Sequence, residues 1–281
     1  RGAGDDLGQP NSSTGLLGDT LSSRTGREQM SLQDSESPDI LNVLVTGGSR
    51  GIGLAVCRQL HAQGHRVTAV GRSDTAKFLD PEIQYIQADL SDLDDVHQLC
   101  DQIRPDPPNV LINNLGVERN KPFEELSLED FQFVLNGNLL SHFLLCKATI
   151  PAMVENSWGR IVFVTSVWGN ISASRRQAYS ASKFALQGMA MSLADEYASK
   201  GILVNCVAPG FIDIDETASP GRGPERNAFL AKHIPMERMG QPEEVARMIE
   251  WLVSPQCTYM SAQVLTVDGG FLNSGSRGQK F

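Results

Sequence analysis

From residue 40 to residue 267 the chain repeats one pattern: a short apolar run rich in β-branched residues, then a longer segment of helical period. That alternation restricts the fold more than any other feature. Strands joined by helix-length connections pair in parallel, and a parallel sheet has to be covered on both faces. The runs LNVLVT (41–46), RVTAV (66–70), IQYIQ (83–87), NVLI (109–112), RIVFVT (160–165), ILVNCV (202–207) and QVLTV (263–267) read as strands. Helices are expected near 51–62, 92–103, 128–153, 178–199 and 243–253. The fold class is therefore α/β, a doubly wound parallel sheet of about seven strands with helices on both faces. Such sheets bind ligands outside the carboxyl ends of their strands, near the point where strand order reverses, so functional residues belong just after each run.

Charge and composition remove several classes of partner. With 33 acidic against 24 basic residues the net charge is -9, and no cluster of Lys and Arg offsets it, which disfavours nucleic acid. Five scattered cysteines (Cys57, Cys100, Cys146, Cys206, Cys257) form no Cys-x-x-Cys pair and read as free thiols of an intracellular protein. His61 and His65 share a helical spacing without a third ligand, so no metal is expected. No apolar run reaches the roughly 18 residues that a membrane helix needs, and the start of the chain lacks a basic segment followed by an apolar one. The expected location is the cytoplasm, with no membrane partner. Residues 1–38, rich in Gly, Ser, Asp and Gln, read as a disordered leader, tag or linker, and residues 39–281 as a single domain.

The first strand runs straight into TGGSRGIG, residues 46–53. Gly47, Gly51 and Gly53 allow a tight turn, a close approach to a pyrophosphate and a helix seated on the sheet, with the helix amides facing the anion. Ser49, Arg50 and Ile52 complete this cofactor turn. The spacing is Gly-x-x-x-Gly-x-Gly, and the absence of Gly-Lys-Ser/Thr excludes a Walker loop. After the second strand comes VTAVGRSD: Gly71 stands where an NAD-selecting acid is expected, and Arg72, with Arg50, suits the extra phosphate of NADP(H). Asp74 is the alternative, a carboxylate for a ribose.

Later strand ends carry further polar groups. QADLSD offers Asp89 and Leu90 to an adenine ring. In NNLG, Asn113 and Asn114 can tie neighbouring loops together while Gly116 leaves space for the cofactor. IVFVTSVWG sets Ser166 at a strand end, and AYSASKFAL places Tyr179 and Lys183 four apart on one helical face. Asn138 lies in the helix expected to pack beside that one.

Taken in order, TGGSRGIG, NNLG, VTSVWG, YSASK and APGF resemble the short-chain dehydrogenase/reductase family over residues 40 to about 272; SAQVLTVDGGF resembles that family's last strand and tail, and HIPMERMGQPEEVA is similar to its 3-oxoacyl-carrier-protein reductases. The resemblance implies a Rossmann-like sheet. It also implies that Tyr179 is the general acid/base, that Ser166 binds the substrate oxygen, and that Lys183 holds the nicotinamide ribose with Tyr179 beside it. Asn138 would steady a water-linked proton relay. A free tyrosine titrates near about 10, and a nearby ammonium and an oxidised nicotinamide favour its phenolate. Pro209, Gly210 and Ile212 fall at the family's cofactor-closing loop, Trp168 and Phe211 beside the substrate, and 211–234 at its lid. Two positions depart from the pattern: Leu115 replaces an Ala, and Ile214 stands where a Thr usually binds the carboxamide, a role that Thr217 or backbone near Phe211 and Ile212 would have to take.

The implied activity is NADPH-dependent reduction of a ketone or 3-oxoacyl group, with secondary-alcohol dehydrogenation as the alternative and a non-catalytic binding protein as the remote one. Pairing through the helices of Asn138 and Tyr179 implies a homodimer or homotetramer. A small-molecule carbonyl or alcohol is the expected substrate, and Arg222, Arg226 and Lys232 are candidates for meeting a carrier protein.

Overall fold

The computed structural model describes residues 38–73, 80–214 and 224–274. The leader expected over 1–38 lies outside them except for its last residue, as do Asp74, Thr217, Arg222 and the side chain of Arg226. Seven strands form one sheet: β1 (Asn42–Thr46), β2 (Arg66–Gly71), β3 (Gln84–Gln87), β4 (Val110–Asn113), β5 (Gly159–Val164), β6 (Ile202–Pro209) and β7 (Val264–Val267). Every pairing is parallel, in the order β3-β2-β1-β4-β5-β6-β7. Order reverses between β1 and β4, where Val43 pairs with Val67 on one side and Val110 on the other.

Successive side chains of a strand point to opposite faces, and here both faces are apolar. Val43 and Val45 join Leu60 and Ile249 in one core, beneath α1 (Gly51–Ala62) and α7 (Pro242–Val253). Leu44 joins Leu99, Leu145 and Leu186 in the other, beneath α2 (Leu93–Ile103), α4 (Ser141–Glu155) and α5 (Gln177–Tyr197). Fully burying one such side chain contributes roughly 1.5–3 kcal/mol, which is why each strand is close to uniformly apolar. Helix starts are marked by side chains: Asp92 accepts from the Asp94 N–H at 2.9 Å before α2. Ser127 accepts from Asp130 at 3.1 Å before α3 (Leu128–Leu135). A further helix, α6 (Pro224–Ala231), lies within the expected lid.

Two expectations change. The helix expected over 128–153 is two α-helices joined through a π turn at Asn136–Leu140. A π turn inserts an extra residue into the helical ladder and re-aims the side chains around it. β6 also runs two residues further than expected, because Pro209 still pairs in register with Val267 of β7. By length and composition the helical run Leu128–Glu155 could cross a membrane, with mean hydropathy 1.2 in its most apolar window, and half of that window is buried inside the protein.

Candidate active site

At the reversal point Thr46 is the hub. Its fully buried hydroxyl accepts hydrogen bonds from the backbone N–H groups of Asn114 and Leu115, both at 2.9 Å. The Asn114 amide in turn donates to the carbonyls of Thr46 (2.8 Å) and Gly47 (3.2 Å), so the β1 and β4 loops are locked together. Gly51 opens α1 with φ +54°, and no side chain caps that helix. A Cβ at Gly53 would fall on the Gly47 carbonyl oxygen and 2.6 Å from Asn114 Nδ2. This close-packed turn with an uncapped helix start suits the diphosphate of a dinucleotide. Ile52 packs its side chain against the core beneath.

Gly71 ends β2 in a confined place. A Cβ there would lie 2.8 Å from Tyr85 Oη and 3.0 Å from Ser49 Oγ, and the Tyr85 hydroxyl is held by a 2.8 Å bond to the Ser73 carbonyl. The next side chain, Arg72, is exposed and pairs with Asp89 at 3.7 Å. Asp89 also accepts from Ser91 N (3.0 Å) and Ser91 Oγ (2.5 Å), while its own N–H donates to Asp95. Leu90 is only 2% exposed and packed in the core, so its backbone is what it offers to an adenine.

On the other side of the reversal point, Ser166 lies two residues beyond the end of β5 and caps a 3-10 turn, its Oγ accepting from the Trp168 backbone N–H at 3.2 Å. Tyr179 and Lys183 stand on α5, with Lys183 Nζ 5.6 Å from the centre of the phenol ring. That ammonium is buried and donates to the Val164 carbonyl at 2.9 Å. Burial pushes Lys183 down to about 8, which leaves it cationic at neutral pH. Gly116 leaves room directly above: a Cβ there would lie 3.5 Å from Lys183 Nζ and 4.0 Å from the Tyr179 ring.

Asn138, in the π turn, is fully buried. Its Oδ1 accepts from Val117 N at 2.7 Å, and its Nδ2 donates to the Val117 carbonyl and to Ser182 Oγ, both at 2.9 Å. Ser182 donates to the Tyr179 carbonyl at 2.7 Å, so Asn138 couples the Gly116 loop to the tyrosine's helix. Its amide is spent on positioning. One turn along lies His142, fully buried, its ring 6.4 Å from that of Phe163 and within reach of the Asn138 backbone. Burial, reinforced by Lys183, pushes this imidazole down to about 3.

The loop after β6 is strapped to a later one. Gly240 N donates to the Phe211 carbonyl (2.9 Å) and Asp213 N to the Gly240 carbonyl (2.8 Å), with Ile212 buried between them. The Phe211 carbonyl is therefore already engaged. Pro209 and Gly210 hold the turn against β7, where Gly210 N donates to Val267 at 2.9 Å. Ile214 reaches across to the glycine turn, its Cγ2 3.1 Å from where a Cβ at Gly51 would be.

This arrangement of glycine turn, strand-end serine and Tyr-Lys helix has matches among known proteins. A family model described as enoyl-(acyl carrier protein) reductase matches residues 47–272, most of the chain. The chain is a short-chain dehydrogenase/reductase. It is 35% identical to the 3-oxoacyl-[acyl-carrier-protein] reductase MabA of Mycobacterium tuberculosis, over 82% of this chain and 92% of that protein. It is 36% identical to FabG of Aquifex aeolicus, another 3-oxoacyl-[acyl-carrier-protein] reductase, over 81% and 95% of the two chains. A structure described as a putative NAD(P)-dependent gluconate 5-dehydrogenase from Beutenbergia cavernae, with NADP bound at low occupancy, superposes with TM-score 0.78 at 34% identity, covering 83% of this chain and 96% of that one.

Several residues at the site of this dehydrogenase/reductase are not marked by any motif in its sequence. Trp168 and Phe211 were expected near the substrate, and they meet a third ring, Phe271, at centroid distances of 6.1, 6.4 and 5.0 Å. Arg176, paired with Glu118 at 2.7 Å, lies over both Trp168 and Tyr179. Phe271 had a usable signal, since it follows a strand end. Thr46 and His142 carried none beyond their neighbours' periodicity. His61 meets Asp80 and Glu82, not His65, in an exposed group with nothing that points to an ion.

Proposed function

We propose that the chain is an NADPH-dependent reductase that converts a ketone or 3-oxoacyl group to a secondary alcohol, with Tyr179 as proton donor. The observation that carries this is the buried Lys183 ammonium 5.6 Å from the Tyr179 ring, on the side of the sheet where Ser166 follows β5. Ser166 donates a hydrogen bond to the substrate oxygen and strengthens it as negative charge develops. Tyr179 passes its proton to the same oxygen, and the fixed cation of Lys183 stabilises the phenolate left behind. Asn138 keeps the tyrosine's helix in register with the Gly116 loop through Val117 and Ser182. When bound, the nicotinamide supplies the hydride.

Gly47, Ser49, Arg50, Gly51, Ile52, Gly53, Asn114 and Gly116 would hold the dinucleotide from one side, with Lys183 and Tyr179 at its ribose. Pro209, Gly210 and the backbone at Ile212 close over it, and Asp89 and Leu90 offer backbone to the adenine. The choice of NADP(H) rests on two features. An acid at position 71 would collide with Tyr85 and Ser49, and Arg72 is exposed beside the same strand end. The names of the 3-oxoacyl relatives support a carrier-bound substrate, and the gluconate 5-dehydrogenase likeness favours the reverse, alcohol-oxidising reading.

A second copy of the chain is the proposed partner. The groove between α4 and α5 is lined by Phe143, Ile150, Met189 and Leu193, and Phe143, Phe184 and Met191 are half-exposed on the same two helices. The five cysteines, all unpaired and buried, support a cytoplasmic setting.

The test follows absorbance of the reduced nicotinamide ring with NADPH, NADH, NADP and NAD, against a simple ketone, a 3-oxoacyl thioester, a 2-enoyl thioester and secondary alcohols. Oxidation of NADPH by a ketone or 3-oxoacyl compound, about tenfold or more faster than NADH, is expected. Preference for NADH, or turnover of the enoyl thioester alone, overturns the reading.

A further inference from the structure

Three aromatic side chains from three successive strand ends meet beside the reacting groups. Trp168 follows β5, Phe211 follows β6 and Phe271 follows β7. Their planes stand at 70–82° to one another, each ring turning its edge to a neighbour's face. All three are half-buried, so part of each remains open. The Trp168 N–H contact to Ser166 Oγ fixes this wall next to the expected oxygen site. Arg176 joins it to the phenol, its guanidinium 5.3 Å from the Trp168 ring and 5.9 Å from that of Tyr179.

We propose that this wall selects a cyclic or aryl ketone, one whose carbonyl lies in or directly on a flat apolar ring, over a linear acyl thioester or a polyhydroxylated ketone. The proposal rests on the reductase reading above. A polyol needs several hydrogen-bonding partners, and the wall itself offers carbon surface and one indole N–H, so hydroxyls set against it would be desolvated without return. The positive charge of Arg176 is already matched by Glu118, so it provides no open cation for a free carboxylate. A linear acyl chain can lie on the same surface, but it loses rotational freedom on binding and gains none of the ring-on-ring geometry. A rigid ring loses little and presents an edge and a face to a wall built of both.

The test uses the full chain with NADPH and three probes: 1-tetralone, a 3-oxooctanoyl N-acetylcysteamine thioester and 5-oxogluconate. Expected is a kcat/KM for tetralone about tenfold or more above either competitor, lowered about tenfold by Phe271→Ala and by Trp168→Leu, with NADPH affinity unchanged. Phe271→Leu keeps apolar volume without the ring, so it separates recognition from packing if the alanine variant unfolds. A purely structural role for Phe271 would move the melting temperature and lower turnover of all three probes alike, and that result overturns the proposal. So does a wild-type preference for the thioester or the oxogluconate, which would leave the reductase reading standing. Should no probe be reduced, quenching of tryptophan fluorescence by tetralone in the NADPH complex decides the matter. Quenching abolished in Trp168→Leu upholds the wall while the reductase reading falls, and no quenching overturns the wall as well.

Discussion

His142 is a fully buried base, and that has a consequence for pH. Its folded value, about 3, lies below the roughly 6.5 of an unfolded histidine, so between the two the unfolded chain takes a proton that the folded one refuses. Stability is therefore complete above about pH 6.5 and falls as pH drops toward 3, by up to about 1.4 kcal/mol per pH unit. Urea midpoints at neutral and mildly acid pH should differ in that direction, and the difference should shrink in His142→Phe; an equal drop in that variant would show the ring to be solvated. Arg72 carries a second prediction. Arg72→Ser should cost about 10- to 100-fold in kcat/KM with NADPH, the worth of a charge-assisted bond, and little with NADH. Equal losses with both cofactors would place the 2′-phosphate elsewhere. Ser166, Tyr179 and Lys183 were legible because strand ends and helix faces can be read from periodicity. His142 was not, since nothing in LLSHFLLC distinguishes a buried histidine from one turned to solvent.

Among the elements, the first turn is the least tolerant of change. A methyl at Gly53 would strike backbone, the Gly47 carbonyl, which no side-chain rotation can relieve. Gly53→Ala should abolish NADPH binding by fluorescence titration and destabilise the fold by about 1–3 kcal/mol, the range for overpacking; retained binding would mean that the turn is not the diphosphate site. The seven strands could be read because each apolar run is bounded by polar turns. The long helix could not be resolved into two, because a π turn changes hydrogen bonding without changing composition. Its trace in the sequence is the pair Gly137-Asn138, whose meaning depends on Val117, a residue far away in the chain. Leu90 follows a related logic: a strand-end position says where a residue sits, and its own apolarity turns its side chain to the core.

For the molecule as a whole, the outer face of α4 and α5 sets the expected assembly. Phe184→Asp places a charge on that half-exposed surface and should leave the fold intact while shifting sedimentation to the monomer; an unchanged oligomer would put the interface on another face. Apolar outer positions of this kind are hard to read in advance, since on a helix they look the same as core positions until the sheet claims one side. The strand order has a further consequence, for synthesis. Thr46 and the glycine turn leave the ribosome first, whereas Phe271 follows β7, the last strand and an edge of the sheet. Chains grow from the amino end at about 5–20 residues per second, so a nucleotide cradle can form on a nascent chain well before the aromatic wall does. Cofactor would then be able to accompany folding, while substrate selection would arrive only with the final strand, making ring-ketone turnover a reporter of completed chains.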